Sequence, residues 1–155
     1  MKTILNLTQH VATQDQIEAG VIELPAELKV RITSLLTFDS IPTYNDMVAS
    51  ANSITKIASD YFRELASNRS LSDAEKHAYD LDVYAPGLAS LNNISMASVM
   101  IGGAPFFMSH LEVALKRANI RPVYAFTARD SVDAEQADGS VKKVAVFKHL
   151  GFVEA

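Results

Sequence analysis

SMASVMIGGAPFFMSH, residues 95–110, is the stretch on which the fold turns. SMASVMI is a short apolar run that ends at a turn, the pattern of a strand buried within a sheet. Gly102, Gly103 and Ala104 then turn the chain, and Pro105 stands where a proline is tolerated in the first turn of a helix. Phe107, Leu111, Ala114, Leu115 and Ala118 recur at helical spacing, and Asn119 is placed to close that helix. A central strand leading through a bare glycine turn into a helix is the unit of a parallel α/β sheet.

The same alternation extends toward both ends. Thr3–Leu7 (TILNL) predicts a short strand. Thr13 and Gln16 form a capping box for a helix reaching about Ala19, with Gly20 closing it. VIEL (21–24) is a second strand, and Pro25 opens the helix AELKVRITSLL. Thr43, with Asp46 in the first turn, caps a longer helix whose inner face is Met47, Ala51, Ile54, Ala58, Tyr61 and Leu65. The polar stretch that follows carries a capping box at Ser72–Glu75 and a Pro86-Gly87 turn, and reads as a helical insertion at about 68–93. Downstream, VYAFTA (123–128) predicts a strand buried on both sides, which makes Tyr124 and Phe126 core residues. The last segment has two strand-like arms around Asp138-Gly139, a hairpin signal. The expected fold is α/β: one Rossmann-like domain over 1–155, with an open, mostly parallel sheet, helices on both faces and a C-terminal β-hairpin.

Composition narrows the function. The 155 residues suit one domain with a real core. A net charge of −4 argues against a broad basic surface for long nucleic acid, and leaves room for a small anionic ligand in a local basic pocket. The absence of cysteine excludes disulfides, thiolate zinc sites and a cysteine nucleophile, and suits a cytoplasmic protein. No apolar run approaches the roughly 20 residues of a membrane span, and MKTILNLTQH lacks the apolar core of a signal peptide. A membrane partner is therefore not expected.

In open α/β sheets, ligands collect beyond the carboxyl ends of the strands. Three strand ends here carry candidates: Thr8, Gln9 and His10; Gly102, Gly103 and Ala104; Thr127 and Arg129. Glycines admit a ligand close to the backbone, and the following helix turns free N–H groups toward it, an arrangement suited to phosphate. Arg129 is the bidentate clamp for such a group. Two readings of Gly102-Gly103 stand, a ligand seat or a tight turn needed for packing. Neither G-x-G-x-x-G nor G-x-x-x-x-G-K-[ST] is present, so no cofactor is expected. His10, directly after a strand, is either an acid–base group or a hydrogen-bonded structural residue. His110 reads as structural, His77 as a surface residue, and His149 as either. No metal-ligand spacing occurs, so no metal site is expected. Lys142 and Lys143 at the hairpin read as solvated, and Asp130, Asp133 and Glu135 as one exposed face.

PVYAFTARDSVDAEQADGSVKKVAVFKHLGF at the end, with ILNLTQH, TQDQIEAG and a strand entering Leu24-Pro25 at the start, resembles small accessory proteins of the CARF (CRISPR-associated Rossmann fold) group. The resemblance covers roughly the first 30 and the last 60 residues and does not extend to the middle, from about Ser40 to Asn93. It implies a homodimer binding a two-fold symmetric cyclic oligoadenylate, such as cyclic tetra-adenylate, over an isologous interface. The ligand-binding loops would follow the first and fourth strands. It also implies either a ring nuclease that ends antiviral CRISPR signalling or a protein that only sequesters the ring. Thr8, Gln9 and His10 match the first of these loops, Thr127 and Arg129 the later one, and Gly102 and Gly103 would seat a phosphate. For ring cleavage His10 would transfer the proton, while Arg129 and the Gly103 and Ala104 amides would stabilise charge.

Overall fold

Ile4–Asn6 forms β1, a three-residue strand buried throughout. The computed structural model describes residues 2–68 and 97–155. Thr13 caps α1 (Gln14–Glu18) through the expected capping box. Gly20, at φ 102°, turns the chain into β2 (Val21–Ile22). Pro25 opens α2 (Ala26–Leu36). Thr43 and Asp46 hydrogen-bond reciprocally at the start of α3 (Tyr44–Asn68). β3 (Ser98–Met100) passes through the glycine turn into α4 (Pro105–Arg117), and Asn119 follows that helix at φ 59°. The last two elements are β4 (Arg121–Glu135) and β5 (Val141–Glu154). The insertion expected at 68–93 lies outside the described residues, apart from Asn68 at the end of α3, and so does His77.

The five strands form one sheet in the order β2-β1-β3-β4-β5. The first four run parallel and β5 pairs antiparallel with β4. The fold is thus mixed α/β with a mostly parallel sheet. Alternation along β1 and β3 sends Leu5, Leu7, Val99 and Ile101 to one face, where they join Ile32 and Leu36 of α2, Ile54 and Phe62 of α3, and Phe107 and Leu111 of α4. On the other face Ile4, Val21, Met100 and Val123 form a smaller cluster with Ala12. Among the described residues that face is thinly covered, because α1 buries none of its residues. No helix among the described residues is long and apolar enough to cross a membrane.

One element departs from its expected form. The strand expected at 123–128 and the first arm of the hairpin are a single 15-residue strand, β4. β3 pairs with it only as far as Val123. Beyond that point β4 has left its sheet neighbour, so Phe126 is 55% exposed and is not a core residue. From Thr127 to the turn, β4 pairs only with β5, as a two-stranded arm. Strand alternation also separates the acidic residues. Asp133 and Glu135 share one face of the arm, and Asp130 lies on the other.

Phe107 is fully buried and meets the Phe38 ring edge-on at 5.2 Å. Phe107→Ala removes this contact and leaves a cavity at the centre of the larger core. Chemical denaturation should show a loss of about 3–5 kcal/mol.

Candidate functional site

From β1 the chain crosses to β2 on one side, while β3 lies on the other side of β1. The loops leaving β1 and β3 therefore diverge, which opens a crevice at the carboxyl ends of these strands. A cavity of about 380 Å³ occupies that place. Thr8, Gln9 and His10 line one wall, Gly102 and Gly103 another, and Tyr124 and Ala125 border it from β4.

The first wall is built on Asn6. This residue is fully buried in the strand ILN, and its amide satisfies itself inside the protein. Its Nδ2 donates to the His10 carbonyl at 2.8 Å and to Glu23 Oε1 at 2.7 Å. Its Oδ1 accepts from the Thr8 amide at 2.9 Å and the Thr8 hydroxyl at 2.8 Å. Glu23 also accepts from the Ala12 amide, at 2.6 Å, and pairs with Lys29 at 3.1 Å. Lys29 donates to the His10 carbonyl at 2.9 Å. Loop 7–12 is thus tied at several backbone points, which leaves the His10 side chain exposed on the cavity wall. Burial pushes the Glu23 carboxyl up, but hydrogen bonds from Ala12, Asn6 and Lys29 and the lysine charge outweigh it and hold it below the ordinary glutamate range.

The two glycines have different reasons to be there. A Cβ on Gly103 would come within 3.2 Å of Met108 Cε and 3.8 Å of Leu36 Cδ2, so this glycine serves the packing of α4 and α2. A Cβ on Gly102 would meet only Thr8 Cγ2, at an ordinary 3.5 Å. Among the described residues, the amides of Gly102, Gly103 and Ala104 donate to no other protein group. The glycine turn also borders a second cavity, of about 500 Å³, with Ser109, Glu112 and Tyr124. There the Tyr124 hydroxyl donates to Glu112 at 2.6 Å, and burial with the neighbouring carboxylate pushes the phenol well above its usual range.

Of the residues singled out in the sequence, Thr8, Gln9, His10, Gly102 and Gly103 meet at the first cavity. Ala104 stands outside its lining as the N-cap of α4. Thr127 and Arg129 are exposed on the arm and do not line the cavity. Arg129 is four residues beyond Ala125, about 13 Å along the strand. Among the described residues that line the cavity there is no lysine or arginine. His149 lies opposite Thr127, packed on Phe152 at 4.6 Å, and its ring nitrogens have no hydrogen-bond partner among the described residues. His110 meets Tyr44 edge-on at 5.3 Å, a structural contact. No group of three or more histidines or carboxylates among the described residues is placed to hold a metal ion. Tyr124, read from the sequence as core, and the Asn6–Glu23–Lys29 set were missed. The signal for Asn6 was available: it is the one polar side chain inside an otherwise apolar strand.

A family model described as the uncharacterized protein MJ1673 family matches residues 2–153. The chain belongs to this family. No curated protein and no solved structure matches it. The family match spans both walls of the cavity and the whole arm.

Two measurements follow from this geometry. Glu23→Gln keeps the shape but loses the anion that three donors address, and should cost about 1–3 kcal/mol near neutral pH. The folded protein binds the Glu23 proton more weakly than the unfolded chain does. Its contribution is therefore complete above the ordinary glutamate pKa of about 4.3 and fades as the pH falls below it. Urea denaturation of both proteins should show the gap narrowing in acid. Gly102→Ala should leave stability within about 0.5 kcal/mol, since the new methyl makes only ordinary contacts, while it takes space from the cavity and weakens binding of any guest against the turn.

Proposed function

We propose that the chain binds a cyclic oligoadenylate, with cyclic tetra-adenylate as the leading guest, in this cavity at a homodimer interface. We propose further that it cleaves the ring by metal-independent attack of a ribose 2′-OH on the adjacent phosphate, ending antiviral CRISPR signalling. The reading takes the sheet as Rossmann-like and carries a cytoplasmic location with it. The observation that supports it best is the meeting of His10, Gln9 and the unengaged Gly102 and Gly103 amides in one cavity at the β1/β3 crevice. A cavity of about 380 Å³ is at the small end for a ligand site. It suits one nucleotide unit and leaves the rest of a ring to lie against another surface.

In the proposed reaction the 2′-oxygen forms a bond to phosphorus and the bond from phosphorus to the 5′-oxygen breaks. The products are a 2′,3′-cyclic phosphate end and a 5′-hydroxyl. His10 takes the proton of the attacking hydroxyl, and the leaving oxygen recovers one from water at this exposed site. The turn amides face the phosphate charge as it grows. Holding the attacking oxygen in line with the leaving one is worth up to about 7–11 kcal/mol of barrier.

One observation favours a second reading, a protein that sequesters the ring. Among the described residues that line the cavity, His10 is the one histidine and no lysine or arginine stands beside it. Incubation with cyclic tetra-adenylate, without divalent metal, separates the two. Cleavage predicts linear products, and His10→Ala should slow turnover about 10²–10⁴-fold with little change in affinity. Tight binding without products leaves sequestration standing. No binding of the ring or of related nucleotides sinks both.

A further inference from the structure

We infer that β4 pairs antiparallel with β4 of a second copy of this chain, about a two-fold axis at Val132. The inference rests on the arm alone and does not depend on the nucleotide reading. Beyond Val123 the edge of β4 that faces away from β5 has no strand beside it among the described residues. Its peptide groups alternate outward along the arm, while Val132, Val144, Val146 and Phe147 remain 41–67% exposed. A two-stranded ribbon standing alone is only marginally stable in water. An open strand edge is a template for another strand.

Charge selects both the edge and the register. The β5 side of the arm, residues 141–149, carries Lys142, Lys143 and Lys148 and no acid. Two such edges repel, and lysine is a usual guard against strand addition. The β4 side carries Arg129, Asp130, Asp133 and Glu135 in a self-complementary order. About Val132, Arg129 faces Glu135 of the partner, Ser131 faces Asp133 of the partner, Asp130 faces Ala134 of the partner, and Val132 faces itself. Neighbouring registers are worse. An axis between Ser131 and Val132 sets Asp130 against Asp133, an axis at Asp133 sets that carboxylate against itself, and an axis at Ser131 sets each Val132 against Asp130. Like charges directly opposite each other destabilise a strand pair.

Arg129 and Glu135 have no charged residue directly opposite them within one chain. Across the hairpin they lie opposite Phe147 and Val141, whereas Asp133 lies opposite Lys143. Neither Arg129 nor Glu135 forms an ion pair among the described residues. β4 ends at Glu135, which this register sets beside Arg129, so the partner's turn at 136–140 reaches about as far as Thr127, next to the β4 stretch that borders the cavity. Each copy's arm then points toward the other's crevice.

The native chain has no cysteine, so single cysteines report the axis cleanly. Without nucleotide and under mild oxidation, Val132→Cys should give a covalent dimer on a non-reducing gel. Asp130→Cys, Ser131→Cys and Ala134→Cys should give little, because each is set off from its own copy beyond the roughly 7 Å reach of a disulfide. In sedimentation, Arg129→Glu and Glu135→Arg should each weaken the dimer about tenfold or more, and the two together should restore it. A monomer at all concentrations, cross-linking strongest at Ser131→Cys or on β5, or a charge swap that fails to restore the dimer would each overturn the inference.

Discussion

A primary amide sealed inside a sheet has to find its hydrogen bonds within the protein, and Asn6 sets the shape of everything around it by doing so. It has two donor hydrogens and an oxygen with two lone pairs, and the structure gives all four a partner. Three of those partners lie in the loop after β1, so the loop folds back over the strand that precedes it. The fourth is Glu23, whose charge is balanced in turn by Lys29. Leaving one of these groups unpaired would cost about as much as a large fraction of a domain's stability, which makes the loop geometry a condition of folding. His10 owes its place to its backbone: its carbonyl is held and its ring is left free.

The crevice beside that loop follows from topology. Two parallel strands whose connections leave in opposite directions cannot cover their own ends, and β1 and β3 are such a pair. Short strands sharpen the effect, because β1 and β3 have only three residues each and the loops begin almost at once. The large core lies wholly on the other side of the sheet's mid-plane from Met100 and Val123. The thin face can therefore carry polar loops without exposing the main body of apolar contacts.

The fold was legible where local chemistry and tertiary packing agree. The capping box at Thr13, the cap at Thr43, the proline openings at Pro25 and Pro105 and the closures at Gly20 and Asn119 all sit where the sequence places them. The candidate site was legible as two strand ends, Thr8–His10 and Gly102-Gly103, because that rule needs only strand direction. Three things were not legible. The apolar alternation of VYAFTA does not reveal that β3 stops at Val123, so Phe126 read as core. The hairpin signal at Asp138-Gly139 says where the chain turns but not that the arm runs back unbroken into the sheet, which carries Thr127 and Arg129 away from the crevice. Gly103 read as a possible ligand seat, yet its missing side chain makes room for Met108 and Leu36, a contact between residues distant in the chain.

The arm and the crevice are also linked by charge. Among the described residues, an anionic guest between the Thr8–His10 loop and the glycine turn meets peptide amides and one histidine, but no fixed cation in the lining. Amides alone stabilise an anion more weakly than amides with a cation beside them. Arg129, Lys142, Lys143 and Lys148 all sit on the arm. A continuous strand is stiff along its length, so the arm does not fold back on its own crevice without breaking its ladder with β5. An arm arriving from a second molecule has no such restriction. In the pair inferred above, the same extension that takes Arg129 out of its own site turns the hairpin end, with Lys142 and Lys143 beside it, toward a neighbour's crevice. The described residues of one copy offer a phosphate no fixed cation at this crevice, and the inferred pair would bring the charge of the arm toward it.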